Sequence, residues 1–145
     1  ETAREMLTAC EKAMPADIFM AVAAVADWRP EGCADKKIKK TKGGIPALAL
    51  TENPDILATL STAKNRPELV IGFAAEPNDV LKHARAKLSK KGCDWIVAND
   101  VSGDVMGGSH NSMIVVTGKD EDVFPRLTKE DAARRLAEKI SEHFK

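Results

Sequence analysis

The sequence predicts an α/β fold, an open, mainly parallel sheet with helices on both faces and an antiparallel hairpin at the C-terminal end. Three observations point there. Residues 18–25 (IFMAVAAV) and 69–75 (LVIGFAA) are apolar almost throughout, the pattern of strands covered on both faces. The second run leads into a helical stretch and then a third apolar run, 94–98 (DWIVA), the strand–helix–strand unit of a parallel sheet. Near the C-terminus, 112–117 (SMIVVT) and 122–124 flank GKDE, which reads as a hairpin.

The elements follow in order. Residues 2–14 form the first helix: Ala3, Met6, Leu7, Cys10 and Met14 recur at helical spacing, Thr2 and Glu5 make a capping box, and Pro15 marks the end. The run 18–25 is the first buried strand, although its alanines would also suit a helix. Residues 27–44 turn polar without any sustained period and form a long loop, of a length that in compact domains marks either function or disorder. A short strand at 47–51 precedes a helix capped by Asn53, with Pro54 in its first position and Ile56, Leu57 and Leu60 inward. The helix 78–91 stops at Gly92, and an amphipathic helix 128–144 closes the chain with Leu136, Ala137, Ile140 and Phe144 inward.

Length and composition fit one domain spanning 1–145: 43% of the residues are apolar and 30% charged, enough for a core and a polar surface. The longest apolar run, residues 18–26, falls far short of the roughly 20 residues that cross a bilayer as a helix. The start, ETAREML, has neither a signal-peptide pattern nor an initiator Met, so a fragment is expected. Three cysteines without CxxC spacing and three unclustered histidines support neither a disulfide scaffold nor a zinc site, and the cytoplasm is the expected compartment.

Net charge is zero, which argues against a protein that coats nucleic acid. The basic groups are nevertheless concentrated: ten of the 22 fall within 36–42 (KKIKKTK) and 82–91 (KHARAKLSKK), with no acid in either stretch. Such stretches suit a small polyanion, and equally a solvated surface. In open α/β sheets ligands bind at the carboxyl ends of strands. Asp27 emerges at the end of the first strand, where it would hydrogen-bond a ribose or base, or simply form a turn. At about 100° per residue, Lys87 and Lys91 fall on or beside the apolar arc of Val80, Leu81, Ala84 and Leu88. Lysines so placed must either snorkel or meet an anion. Familiar phosphate motifs fail: Gly103 and Gly108 have P-loop separation, but Ser109 and His110 follow, and no GxGxxG occurs. The stretch 102–110 reads instead as a mobile turn with His110 on the surface.

Taken together, AAVADWRP, the KIKK run, NPDIL, GFAAE, ARAKLSKKGCDWIVANDVS and the terminal hairpin plus helix resemble phosphopantothenate cysteine ligase over nearly the whole chain. In bacteria that ligase is commonly the C-terminal half of a bifunctional coenzyme A biosynthetic protein whose other half is a flavin-dependent decarboxylase. The resemblance implies a Rossmann-like fold, a homodimer, and CTP with Mg2+. CTP activates 4'-phosphopantothenate as an acyl cytidylate, and cysteine then forms the amide. It also implies roles for residues. Ala21, Val22, Ala23 and Asp27 correspond to a cytidine-binding strand end, and Lys37 to the catalytic lysine of KxKK. Pro54, Asp55, Ile56 and Leu57 correspond to a helix N-terminus contacting the nucleotide, Phe73 to an aromatic near it, and Lys87 and Lys91 to phosphate or nucleotide lysines. Ala24 and Asn99 lie in matching motifs without an assigned role.

Members of the family begin with a Gly-rich stretch bearing an Arg and an Asn, which is not found here. CTP recognition without efficient ligation is therefore the expectation for these residues alone. The alternatives from other classes are a non-catalytic nucleotide or polyanion binding module and, with less to support it, a NAD-dependent oxidoreductase.

Overall fold

The computed structural model describes residues 1–32, 47–100 and 110–145. In chain order the elements are α1 (Ala3–Lys12), β1 (Ile18–Ala21), β2 (Trp28–Pro30), β3 (Leu50–Glu52), α2 (Ile56–Thr62), β4 (Leu69–Glu76), α3 (Val80–Lys91), β5 (Trp95–Asp100), β6 (His110–Thr117), β7 (Glu121–Thr128) and α4 (Lys129–His143). Five strands form one sheet in the order β1-β4-β5-β6-β7, and β2 and β3 pair as a separate antiparallel ribbon. The pairs β1/β4 and β4/β5 are parallel, whereas β5/β6 and β6/β7 are antiparallel. This is the mainly parallel α/β sheet with a terminal hairpin that the apolar runs predict, and the Rossmann-like fold that the resemblance implies.

Alternation along β4 sorts the core into two faces. Leu69 and Ile71 join Trp95, Val97, Met113, Val115, Phe124 and the α4 residues Ala132 and Leu136 on one side. Val70 and Ala74 join Leu57 of α2, Ala84 of α3, Ile96, Ala98 and Val116 on the other. Leu69, Val70 and Ile71 have no exposed surface, and each such side chain contributes about 1.5–3 kcal/mol on burial. Gly72 permits the closest helix–sheet approach: a Cβ there would lie 2.6 Å from Leu57 Cδ2 and 2.8 Å from Ile96 Cδ1. Gly92 ends α3 as expected, at φ 65°, its N–H bonding the Leu88 carbonyl.

Several expectations need correction. The first strand covers only Ile18–Ala21 and lies at the sheet edge, with Ile18 38% and Met20 39% exposed. A hydrogen bond of 3.2 Å from Val22 N–H to the Met20 carbonyl turns the chain away, so residues 22–25 leave the sheet. The polar stretch 27–44 opens with β2, whose partner β3 is shifted to Leu50–Glu52 from the expected 47–51. Three-residue strands are too short to show a period. The first helix stops at Lys12, with Ala13 as its C-cap, rather than at Met14. Asp55, not Asn53, caps α2, accepting the Ala58 N–H, so Pro54 precedes the helix.

At the C-terminal end both hairpin strands are longer than expected, and His110 opens β6 opposite Thr128 rather than sitting in a turn. Pro125 interrupts the period of β7, which the sheet tolerates because β7 is its outer strand. In α4 the buried stripe is Ala132 and Leu136 with half-buried Ile140, while Ala137 and Phe144 are exposed. The stripe steps by four residues, which leaves Ala137 about 100° to one side. The capping box at α1 survives, with Thr2 accepting the Glu5 N–H at 3.2 Å, and Thr128 caps α4 by accepting the Asp131 N–H at 3.1 Å.

Replacing Gly72 by Val should lower stability by about 1–3 kcal/mol, because branched atoms must displace Leu57 and Ile96 within a packed layer. Urea denaturation measures this, and an unchanged midpoint would show that Leu57 repacks freely.

Candidate functional site

The parallel strands β1 and β4 end at Ala21 and Glu76, and the polar groups of the site lie beyond and beside these ends. Ala21 is in register with Gly72 and packs with the face that α2 and α3 cover. Past it the chain is exposed, Val22 to 62%. This strand end is tied to the start of α2 by one side chain. Asn53 donates from Nδ2 to the Ala26 carbonyl at 2.8 Å, and its backbone N–H donates to the Asp27 carbonyl at 2.7 Å. Arg29 of β2 reinforces the junction, donating to the Glu52 carbonyl and to Asn53 Oδ1. Residues 22–27 and the entry to α2 are thereby held as one wall.

Across from this wall stands α3. Side chains on a helix lean toward its N-terminus, so Lys87 and Lys91, one turn apart, reach back toward the carboxyl ends of the strands. Lys87 Nζ donates to the Phe73 carbonyl at 2.8 Å. The β1/β4 pairing ends one residue earlier, at Ala21 and Gly72, and an ammonium rather than a strand serves this carbonyl. Lys91 Nζ pairs with Asp55 Oδ2, and its side chain is 19% exposed. Asp55 thus has two tasks: Oδ1 accepts the Ala58 N–H at 3.0 Å, and Oδ2 holds the lysine. The inward lysines meet anionic or carbonyl oxygens rather than snorkelling.

Partial burial pushes the Asp55 carboxyl up, but the Lys91 hydrogen bond, the Ala58 N–H and the charges of Lys91 and Lys90 outweigh it, leaving the pKa below its ordinary 3.8. Burial pushes the Cys93 thiol up, so this cysteine stays protonated and is no ready nucleophile.

The structure gathers Ala21, Asp55, Leu57, Lys87 and Lys91 on one face and one edge of the sheet, with buried Ile56 next to Asp55 in the first turn of α2. It leaves Phe73 apart: its carbonyl meets Lys87, but its ring packs on the opposite face with the α4 cluster. Val22, Ala23, Ala24 and Asp27 are exposed along the wall, and half-buried Pro54 leads into α2. Asn99 lies in β5 opposite Ala75. Lys37 and the rest of 33–46 lie outside the described residues, as does 101–109. Sequence reading missed the linking roles of Asn53 and Arg29. The NPD motif holds Asn53 but reads as a cap, and no local pattern announces a side chain reaching back 27 residues to Ala26. Chemically, the site offers two ammonium groups and a rigid wall for an anion, without a paired nucleophile and base among the described residues.

Because its folded pKa is depressed, Asp55 contributes stability that is complete above pH 3.8 and is lost as pH falls through the folded value. Thermal melts of wild type and Asp55→Asn across the acid range should show a shallower pH dependence in the variant. Parallel curves would mean that the pair contributes nothing to stability.

Known proteins share this sequence and this fold. The bifunctional coenzyme A biosynthesis protein CoaBC of Vibrio parahaemolyticus is 38% identical over 145 residues, covering 97% of this chain and 36% of that protein. CoaBC of Escherichia coli is 40% identical over 128 residues, covering 86% of this chain and 32% of that protein. The chain thus spans about a third of the length of these curated relatives. Among solved structures, the C-terminal domain of CoaBC superposes with a TM-score of 0.76 at 31% identity, over 99% of this chain and 63% of that one. Residues 1–144 match one family description, and the chain belongs to that family, the DNA/pantothenate metabolism flavoprotein C-terminal domain.

Proposed function

We propose that this domain serves the ligase reaction of coenzyme A biosynthesis. 4'-Phosphopantothenate and cysteine are joined with CTP through an acyl cytidylate, giving phosphopantothenoylcysteine, CMP and pyrophosphate. The observation that carries the reading is the pair of inward lysines, Lys87 and Lys91, held on oxygen acceptors beside the wall of 21–27. A triphosphate offers oxygens that replace those acceptors. The wall, with Ala21, Val22, Ala23 and the exposed Asp27 carboxylate, supplies backbone and side-chain groups for the cytidine.

The charges set the division of labour. Lys87 and Lys91 bind and orient the phosphate chain, so that negative charge developing on the leaving pyrophosphate meets fixed ammonium groups. Lys37, which lies outside the described residues, is the catalytic lysine and stands in a run of five lysines over 36–42. Pro54 to Leu57 position the nucleotide from the α2 side, and Phe73 contributes through its carbonyl, which seats Lys87, since its ring lies on the opposite face. Mg2+ arrives with the triphosphate. Among the described residues no group of three or more His, Cys, Asp or Glu side chains is placed to hold a metal ion.

The relatives named bifunctional support a second activity fused to this domain, which this reading takes to be a flavin-dependent decarboxylase in a cytoplasmic homodimer. No helix among the described residues is long and apolar enough to cross a membrane.

Isothermal titration of the chain with CTP, ATP and NAD in the presence of magnesium tests the nucleotide assignment. Selective heat with CTP is expected, equal binding of CTP and ATP would indicate a general polyanion site, and binding of NAD alone would move the domain to the oxidoreductases. In the full-length protein, Lys37→Gln should reduce ligation at least about 100-fold, the scale of a lost electrostatic stabiliser, without shifting the melting temperature. Unchanged turnover would return that lysine to the solvated surface.

A further inference from the structure

The carboxylate of Asp55 bonds the very ammonium that the proposed function assigns to phosphate. Asp55 Oδ2 takes Lys91 Nζ, Oδ1 is engaged by the Ala58 N–H, and the Lys91 side chain is 19% exposed against 41% for Asp55. One turn earlier Lys87 Nζ rests on a neutral acceptor, the Phe73 carbonyl. The two lysines therefore differ: a phosphoryl oxygen reaching Lys87 displaces a carbonyl, whereas one reaching Lys91 must displace an anion.

We propose that Asp55 is a resident competitor for Lys91, a specificity-determining carboxylate that holds the lysine in the empty site, yields it to phosphoryl oxygen and reclaims it when pyrophosphate leaves. The proposal rests on the ligase reading only in taking a polyphosphate as the ligand. Its physical content is an exchange of one ion pair for another. Because Asp55 is anchored by the α2 cap, its charge stays beside the site after the exchange, opposes the bound phosphates and lowers the affinity for the departing pyrophosphate. The geometry also fixes the sign. Were Asp55 only a scaffold for Lys91, removing its charge would weaken polyphosphate binding; as a competitor, its removal strengthens binding.

Asp55→Asn is the informative variant, since the amide oxygen still accepts the Ala58 N–H. Titrations of wild type, Asp55→Asn, Lys91→Gln and the double variant with tripolyphosphate, pyrophosphate and cytidine, alongside thermal melts, complete the test. The expected result is a roughly two- to fivefold gain for tripolyphosphate and pyrophosphate in Asp55→Asn, the range of a half-exposed ion pair. The gain should exceed any change in cytidine binding, and most of it should vanish in the Lys91→Gln background, as a double-mutant cycle requires. In the full-length enzyme, pyrophosphate inhibition should tighten by the same factor. Weaker or unchanged polyphosphate binding in a folded Asp55→Asn variant would overturn the proposal, as would an equal gain in the Lys91→Gln background. Gain with tripolyphosphate but no preference for CTP would leave the exchange standing and remove the ligase reading. CTP preference without any gain would do the reverse, and no binding of either ligand to wild type or Asp55→Asn would remove both.

Discussion

Burial of the central parallel strands on both faces is the constraint from which the rest follows. With α2 and α3 on one side and α4 on the other, β4 and β5 have almost no position at which a polar side chain escapes desolvation, and Leu69, Val70, Ile71, Ile96, Val97 and Ala98 show no exposed surface. Chemistry is therefore pushed to the strand ends and to the helices that return beside them. Asp94, at the entry to β5, illustrates the terms: its carboxylate accepts the Val70 N–H at 2.8 Å and pairs with Arg66, so even this marginal acid is matched. Toward the opposite end Lys87 and Lys91 rest on the Phe73 carbonyl and on Asp55.

Lysine is suited to that task because its long apolar stem packs while its head stays polar. On α3, Val80, Leu81, Ala84 and Leu88 pack in the layer against the sheet, and Lys87 and Lys91 are half-buried beside them. The helix sets where the heads arrive, since its side chains slant toward its first turn. Elsewhere on the molecule basic groups play a different part. Asp122 of β7 gathers Arg135 and Lys139 of α4 at 3.2 and 3.1 Å, and Arg135 lies 4.3 Å from the Phe124 ring centre, so these cations clamp a helix to the hairpin. Their charges are spent on structure, whereas those of α3 stand near a strand end.

How much was legible follows from the range of each signal. Continuous apolar runs reveal buried strands, and β4, β5 and the helix between them appear in the sequence nearly as they fold. Edge elements do not: β1 mixes exposed and half-buried residues, and the four apolar residues after it, 22–25, look like strand until the turn at Val22 removes them. The ribbon of β2 and β3 is held by pairing across some twenty residues and by Arg29, neither of which leaves a local trace. Within the site, helical spacing alone located Lys87 and Lys91, because periodicity is a local property. The partnership of Lys91 with Asp55, 36 residues apart, depends on how two helices settle on one sheet face, and no single segment encodes it.

That settling is governed by a residue with no side chain. The notch at Gly72 receives Leu57, two residues beyond the carboxylate that grips Lys91. An atom's width added to the middle of a strand would be transmitted to the edge of the sheet as a displacement of Asp55. Core and site here share one coordinate, so the protein has no independent means of tightening one without moving the other. Adaptation toward greater heat resistance must therefore work elsewhere, on the α4 face or in the outer strands, where repacking leaves the seat of α2 untouched.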